Sequence, residues 1–427
     1  MKQKLVISCP ASSRSGYGDH SRDIIKSLIS MDKFDIKILD QRWGWCPRTA
    51  LQDEPELAEL VIPLGTPLTE QPDVWIQVTV PNEFKPVGKF NIGITAGIET
   101  DRVAPEWLEG MNRMDINIVP SHHSKLIFEQ TKYDRKDKQG NAVSKVELEK
   151  PIYVLFEGLD INVFDKTPSE ELVSVKGLDE IKESFCFLSV GHWLQGELGH
   201  DRKDIGGVIQ TFIHTFKNMQ TKPALILKTS SATFSVMDRY DMEKRIKSIY
   251  SGLGGDIEKM PKVYLLHGDL TPKEMNSLYN HPKVKAMFSL THGEGFGRPL
   301  LEFSVTGKPT IATNWSGHVD FLNNYGFRIP GKVDEVHKSV FQKGIIEKGA
   351  KWFYADYGYA SKLIKDVYRK YKTFLTTSRK QRKYVKDNFT LEIMNDQFAE
   401  IIKDNIPEPV KLKLPTLKLP KLESINE

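Results

Sequence analysis

The sequence predicts an α/β protein made of two Rossmann-like, doubly wound parallel-sheet domains that face a central cleft. Its 427 residues exceed what a single hydrophobic core usually holds. Short apolar runs alternate with segments of helical periodicity, which is typical of a buried parallel sheet covered by helices. This alternation occurs twice, on either side of a polar stretch at 168–183. Ligands of such sheets bind beyond the carboxyl ends of the strands, so the cleft is the expected site.

The first series of elements predicts a domain over residues 1–170. Its six apolar runs are expected to be strands at 5–8, 34–39, 74–78, 90–94, 116–119 and 152–156. Helices are expected between them, for example at 19–31 and 122–131. The insert at 132–150 is highly charged and poor in large apolar residues, which predicts an exposed loop or hairpin.

The second series predicts a domain over 171–345, closing helices within 346–406 that cross back to the first domain, and a basic tail at 407–427. Strands are expected at 185–190, 224–228, 263–266, 286–290 and 310–313. Helices are expected at 205–216, 237–250, 273–279, 299–305, 361–375 and 391–404. The tail repeats a Lys-Leu-Pro theme that disfavours a helix and favours an extended or flexible segment.

Composition narrows the class of protein without naming a reaction. No stretch approaches the roughly 18 consecutive apolar residues of a spanning helix, so no membrane span is expected. The apolar run near Met1 is too short for a signal peptide, which favours the cytoplasm. Cys9, Cys46 and Cys186 are too far apart in sequence for a CxxC pair and are expected to be buried free thiols. A net charge of +4 fits a phosphate-bearing substrate but is no nucleic-acid signature.

The most informative segment is 291–322, THGEGFGRPLLEFSVTGKPTIATNWSGHVDFL. A strand is expected to end just before it, three alternating glycines follow, and a helix begins near Pro299. This arrangement presents free backbone N–H groups at the cleft, where they bind anions or hydroxyls. Glu294 and Glu302 bracket the turn, and carboxylates are good acceptors for the paired hydroxyls of a sugar or ribose.

This segment resembles the EGFG-x-P-x-x-E signature of retaining glycosyltransferase family 4, also called glycosyl transferases group 1, and the likeness extends into GKP and N-x-SG. The resemblance implies the GT-B fold. It also implies that Glu294 contacts the transferred sugar, that Gly295, Phe296 and Gly297 offer backbone N–H groups to sugar and diphosphate, and that Glu302 binds the ribose. The alternative is a glycine-rich turn with ordinary helix-capping glutamates.

Basic residues beside the expected strand ends suggest how a diphosphate is held. Arg202 and Lys203 precede a predicted helix in a segment similar to the family's VG…RKG turn, which implies that they neutralise the donor diphosphate. Residues 193–201 are an insertion relative to that pattern and leave the phosphate ligands open. Lys228, at another strand end, is a second candidate for the diphosphate. Surface lysines and arginines explain the same pattern without a ligand.

Two further turns are assigned to the donor by the same resemblance. Gly268, Asp269 and Leu270 follow the strand of YLLHGDL, where the family reads the nucleotide base. The glycine-rich loop 12–19 (SSRSGYGD) lacks the GxGxxG spacing of a dinucleotide fold, so NAD binding is disfavoured. Resemblance places Gly16 near the donor phosphates and Tyr17 on the acceptor side.

The acceptor side is expected to include Glu99, Thr100 and Asp101, because GITAGIETDRVAPEW resembles the family's E-T-x-x-x-P-x-W turn. A helix cap formed by Thr100 or Asp101 is the competing interpretation. His122 and His123 lie at a helix start and are expected to be caps or surface residues.

Together these motifs predict an anomer-retaining transfer from a nucleotide sugar such as a UDP-sugar, without a metal or any other cofactor. The sequence has no HExxH, GxSxG or Walker motif and no clear DxD turn. The acceptor stays open between a modified base in DNA, a saccharide and a lipid-linked sugar. Some phage-encoded relatives of this family act on modified bases of DNA, and the lysine-rich insert and basic tail are compatible with that partner. Solvated charged loops explain the same residues without nucleic acid. A phosphorylase, an epimerase and a non-catalytic sugar-binding protein remain alternatives, and the oligomeric state is open.

Overall fold

A computed structural model describes residues 2–136, 139, 142–231 and 233–408, and it contains two six-stranded parallel sheets. The predicted basic tail lies almost entirely outside the described residues. Within the described part of the chain, no helix is long and apolar enough to cross a membrane.

The first half alternates strands and helices as expected. Its strands are β1 (Gln3–Cys9), β2 (Phe34–Asp40), β3 (Val74–Val78), β4 (Phe90–Ile94), β5 (Ile116–Val119), β6 (Tyr133–Lys136), β7 (Ala142–Val146) and β8 (Ile152–Val154). Its helices are α1 (Gly16–Ser30), α2 (Pro55–Ala58), α3 (Pro105–Asn112) and α4 (His122–Gln130). The sheet order is β2-β1-β3-β4-β5-β8, and β6 pairs with β7 as an antiparallel hairpin. The charged insert at 132–150, predicted to be either a loop or a hairpin, therefore contains a hairpin.

The second half forms the other sheet, in the order β11-β10-β9-β12-β13-β14. Its strands are β9 (Cys186–Val190), β10 (Ala224–Lys228), β11 (Val263–Leu266), β12 (Val284–Phe288), β13 (Thr310–Thr313), β14 (Phe327–Ile329), β15 (Gly331–Glu335) and β16 (Lys351–Ala355). Its helices are α5 (Ile205–Phe216), α6 (Val236–Leu253), α7 (Pro272–Asn280), α8 (Arg298–Ser304), α9 (Val319–Leu322), α10 (Tyr357–Arg369), α11 (Tyr371–Asn388) and α12 (Leu391–Asn405).

The segment after the second sheet differs from the prediction. The interval 346–406, predicted to hold the closing helices, also contains β16, which pairs antiparallel with β15. The helix predicted at 361–375 is wrong in its bounds, because α10 ends at Arg369 and a separate helix α11 follows. Every residue of β15 is exposed, so this strand carries no apolar run that the sequence could reveal.

Buried apolar strands explain the stability of both sheets. β3 is buried along its whole length, as are most residues of β1, β9 and β10. Such strands read as continuous apolar runs because helices cover both faces of a parallel sheet. Cys9 and Cys186 belong to this core, whereas Cys46 is only partly buried, and all three are free thiols.

The two halves are joined both by chain and by close packing. α12 returns to pack against α1, and the backbone N–H groups of Leu159 and Leu391 bond to the carbonyls of Phe389 and Leu159. Near the cleft, a Cβ atom added to Gly295 would lie 1.8 Å from the carbonyl oxygen of Ala96. Only glycine permits this approach of the two backbones.

We expect Gly295→Ala to separate the two halves locally and to lower the midpoint of thermal unfolding. The added methyl group requires a backbone shift, which typically costs about 1–3 kcal/mol. Gly252→Ala is the matched control, because a Cβ there meets no atom within 4 Å and the helical site favours alanine. Differential scanning calorimetry of both variants measures the effect, and an unchanged midpoint for Gly295→Ala would show that the contact is not tight.

Candidate active site

An ionic cluster centred on the buried Glu294 lies beyond the carboxyl ends of the second sheet. The Glu294 carboxylate accepts a hydrogen bond from Lys203 Nζ at 2.5 Å and from Arg202 Nη1 at 3.1 Å. Arg202 also donates to the carbonyl of Gly293 at 3.0 Å and lies 3.6 Å from the Glu99 carboxylate of the first half. The cluster therefore brings together four charged residues that the sequence placed at the site, from three separate segments.

Neighbouring loops set the position of each member. Gly191 follows β9 with φ at +153°, and the stem of Lys203 packs where a Cβ would stand. The Glu294 N–H donates to the Ser316 hydroxyl at 2.8 Å, and Gly317 N donates back to the carbonyl of Glu294 at 2.9 Å. The N-x-SG segment thus holds the glutamate loop in place.

The cluster fixes Glu294 in its ionised form. Burial opposes the charge, but Lys203 and Arg202 outweigh it and lower the pKa of Glu294 to about 2. Burial lowers the pKa of Lys203, an effect that Glu294 reduces without reversing. Burial raises the pKa of Glu99, and the positive charge of Arg202 opposes this rise. At neutral pH the Glu294 carboxylate therefore accepts hydrogen bonds and has no proton to give.

Glu302 lies one turn into α8 and is buried in a second polar group. Its two carboxylate oxygens accept from the Tyr279 hydroxyl at 2.9 Å and from Arg298 Nε at 3.2 Å. Arg298 Nη1 also bonds to Asp23 of α1 at 2.6 Å and so links the two halves. Burial raises the pKa of Glu302 to about 7 and that of the nearby Glu157 to about 8, although Arg298 opposes both shifts.

The proposed base-reading turn lies at the rim of the same cleft. Lys228 Nζ donates to the carbonyl of Gly268 at 2.7 Å, and Gly268 has φ at +123°. Asp269 is partly exposed and pairs with Arg14 of the first half at 3.3 Å. Leu270 packs against the core. Lys228 therefore positions this turn in the structure.

The glycine-rich loops differ in their surroundings. Gly16 begins α1 and has open space where a Cβ would stand, whereas Phe296 is only 2% exposed and packs on Phe321. Gly297 has φ at +98°, and a Cβ there would lie 3.0 Å from the His318 Cβ. Phe296 is thus a core residue that fixes the loop, while its backbone remains part of the turn.

The four residues predicted on the acceptor side have different hydrogen-bond partners. Tyr17 is partly buried against Trp43, and its hydroxyl bonds to Thr95 Oγ1 and to the N–H of Ala96. The Thr100 hydroxyl donates to the carbonyl of Arg102, and Asp101 accepts from the N–H of Lys351 in β16 at 2.7 Å. Only Glu99 contacts the ionic cluster.

Several residues of the site gave no local signal in the sequence. Asp23, Glu157 and Tyr279 lie in segments that read as ordinary helix or strand ends. His318 is buried behind Glu294, with Nε2 at 2.7 Å from the carbonyl of Thr313 and with no hydrogen-bond partner for Nδ1. His318 and Ser316 follow Asn314 in the N-x-SG motif, and this is the signal by which both could have been found.

Two open cavities lie away from this cluster, beside the β15–β16 hairpin. Their volumes are about 760 Å³ and 540 Å³, and both are lined by His200, Tyr354 and Tyr357. His292, two residues before Glu294, lines neither cavity, and its ring bonds to the carbonyls of Phe353 and Gly199. None of the clustered charges lines either cavity, so we assign the chemistry to the cleft.

No metal ligand set is visible in the described ranges, where no group of three or more His, Cys, Asp or Glu side chains is arranged to hold an ion. Metal independence stays a prediction.

We expect Tyr279→Phe to raise the pKa of Glu302 further. The tyrosine hydroxyl donates to the carboxylate and so favours its ionised form, which the variant loses. Carbon-13 NMR of carboxyl-labelled glutamate measures the titration, with Glu302→Gln to identify the resonance. Tyr240→Phe, an exposed tyrosine on α6, is the control. An unchanged or lowered pKa in Tyr279→Phe would contradict the assigned hydrogen bond.

Comparison with known proteins gives structural likeness only. No family model and no curated protein matches the sequence. A glycosyltransferase from Rickettsia africae superposes with a TM-score of 0.63 at 14% identity, over 96% of this chain and 100% of its own. Anabaena HepE, solved with UDP and glucose, gives 0.60 at 13%, over 94% and 100%. Sucrose-phosphate synthase from Thermosynechococcus elongatus gives 0.60 at 12%, over 94% and 99%.

These matches extend over both halves and confirm the predicted fold class. The chain has the GT-B fold, in which two Rossmann-like domains face a cleft.

Proposed function

We propose that this protein transfers a sugar from a nucleoside diphosphate sugar, of the UDP type, to an acceptor hydroxyl with retention of anomeric configuration and without a metal. The observation that carries the proposal is the Glu294–Arg202–Lys203 cluster at the cleft. Its members match the residues that the family resemblance assigns to donor sugar and diphosphate. HepE, a neighbour by fold, was solved with UDP and glucose, which supports the choice of donor.

Arg202 and Lys203 bind the diphosphate in this mechanism. They are largely buried, with side chains 26% and 12% exposed, so their charges act in a medium of low dielectric. When a donor enters, its phosphate oxygens compete with the Glu294 carboxylate for these two cations. As the bond to the sugar breaks, the leaving diphosphate gains negative charge, and the cations stabilise it most at that stage.

Glu294 orients the sugar instead of acting as an acid. Before the donor binds, Lys203 and Arg202 hold its pKa at about 2 and keep it ionised. As the cations turn to the diphosphate, hydrogen bonds donated by sugar hydroxyls take their place on the carboxylate. The acceptor proton goes to an oxygen of the departing phosphate, and the new bond forms on the face from which that group leaves. No enzyme nucleophile is needed.

Glu302 holds the ribose. Both of its oxygens already accept hydrogen bonds, from Tyr279 and Arg298, so the carboxylate is oriented before the donor arrives. In the ionised form of Glu302, each oxygen has a second lone pair that can accept from a ribose hydroxyl. We also propose a cytoplasmic location, which the three free cysteines support.

We expect Glu294→Gln to lower kcat about 10²- to 10³-fold, the scale on which loss of one positioned polar group acts. UDP affinity should be unchanged or tighter, because a neutral amide no longer competes for Arg202 and Lys203. Release of UDP from a UDP-sugar and calorimetric titration with UDP measure the two effects. Glu243→Gln on α6, a partly exposed glutamate that pairs with Arg239, is the control.

We expect the UDP affinity of Lys203→Met to change in the opposite direction from that of Glu294→Gln. UDP should bind at least about tenfold more weakly, because a charge-assisted hydrogen bond to the diphosphate is lost. Full turnover in Glu294→Gln would mean that the carboxylate does not hold the sugar. Absence of turnover in the unaltered protein, with UDP still bound, would favour a non-catalytic sugar-binding protein.

We expect the product to keep the anomeric configuration of the donor and the rate to be unchanged by EDTA. Arg202 and Lys203 supply the charge that a metal would otherwise bring to the diphosphate. Proton NMR of the first product formed gives the configuration. An inverted product would exclude the proposed attack on the leaving-group face, and loss of activity in EDTA that is restored by Mg²⁺ or Mn²⁺ would exclude metal independence.

A further inference from the structure

We propose that the indole rings of Trp43 and Trp45, in the segment RWGWCPR at 42–48, bind the acceptor, and that this acceptor is a neutral saccharide. We call these two side chains the acceptor platform. This inference rests on the proposed function, because it names the acceptor for the same cleft.

The segment lies directly on the loop that faces the cleft. It follows the carboxyl end of β2, and Arg14 N donates to the carbonyl of Pro47 at 2.9 Å. Asp40 accepts from the N–H and hydroxyl of Ser12, and Arg48 bonds to both of these side chains. The segment is therefore held at a fixed place on the rim of the first half.

A short series of contacts connects this platform with the catalytic loop. The ring centroids of Trp43 and Tyr17 are 4.1 Å apart. The Tyr17 hydroxyl accepts from the N–H of Ala96 at 3.1 Å. The carbonyl of Ala96 in turn contacts Gly295, the neighbour of Glu294. An acceptor resting on the tryptophans would therefore lie beside the sugar that Glu294 is proposed to hold.

Trp45 is exposed to an unusual degree for an indole. Its relative exposure is 76%, although the Arg42 guanidinium lies 5.2 Å from its ring centroid. Gly44, with φ at +49°, provides the turn between the two tryptophans. Exposed aromatic surface at the rim of a cleft is typical of binding sites.

The charges around the platform favour a neutral ligand. Arg14 is paired with Asp53 and Asp269, and Arg48 with Asp40. Arg42 is the third arginine of this region, and it has no carboxylate partner within the described residues. Nucleic acid binding draws on several cations that neutralise successive phosphates, which this segment does not offer.

A sugar ring fits the remaining chemistry. Its C–H face is apolar and matches an indole face, while its hydroxyls hydrogen-bond to groups at the edge such as the Arg42 guanidinium. Of the residues earlier assigned to the acceptor, the Thr100 hydroxyl donates to the carbonyl of Arg102, and the Asp101 carboxylate accepts from the N–H of Lys351 in β16.

Saturation-transfer NMR of the full chain with UDP bound tests the platform. The probes are methyl glycosides of glucose, galactose, mannose and N-acetylglucosamine, together with a single-stranded oligothymidylate. We expect the ring protons of at least one glycoside to receive saturation. Trp45→Ala should weaken that binding at least about tenfold, as loss of an aromatic contact does. Tyr240→Ala, which removes an exposed aromatic ring on α6, should leave it unchanged.

UDP affinity, measured on the same samples, separates the two proposals. Glycoside binding without UDP binding would contradict the donor assignment while leaving the platform intact. UDP binding with no bound glycoside, or equal glycoside binding by Trp45→Ala, would overturn the platform. Oligothymidylate binding that depends on Trp45, in place of glycoside binding, would assign a nucleic acid acceptor and overturn the saccharide class.

Discussion

The structure of the cleft depends on one buried carboxylate, Glu294, and on the two cations that neutralise it. A buried carboxylate without partners is costly, and its ion pairs with Lys203 and Arg202 are what keep it charged. These pairs fix the β9–α5 loop against the glutamate loop. Glu99 approaches Arg202 from the other half, so the same cluster also lies at the junction of the two sheets.

The halves are held together at several points around the cleft, and some of these points involve residues assigned to the ligand. Arg298 bonds to both Glu302 and Asp23, and Asp269 pairs with Arg14. Under the proposed function, a nucleotide that enters the cleft would exchange the contacts of Arg202 with Glu99 and of Asp269 with Arg14 for contacts with itself. Donor binding would then be coupled to the relative position of the two sheets.

Most strands could be predicted from sequence because strands buried on both faces leave continuous apolar runs, as in β3 and β9. The β15–β16 hairpin could not, because β15 is polar and exposed along its length. The residues of the site likewise include some that a local sequence pattern predicts and some that it does not. Glu294 and Glu302 lie in one local pattern, whereas the bond between Arg298 and Asp23 joins residues 275 positions apart and is created only by the packing of the halves.

A crystal structure of the complex with UDP tests the central claim most directly, namely that Arg202 and Lys203 exchange Glu294 for a diphosphate. The account predicts phosphate oxygens within hydrogen-bonding distance of both cations and ribose hydroxyls at Glu302. It would be contradicted by UDP bound elsewhere, for example in the cavities beside the hairpin, with both ion pairs to Glu294 unchanged.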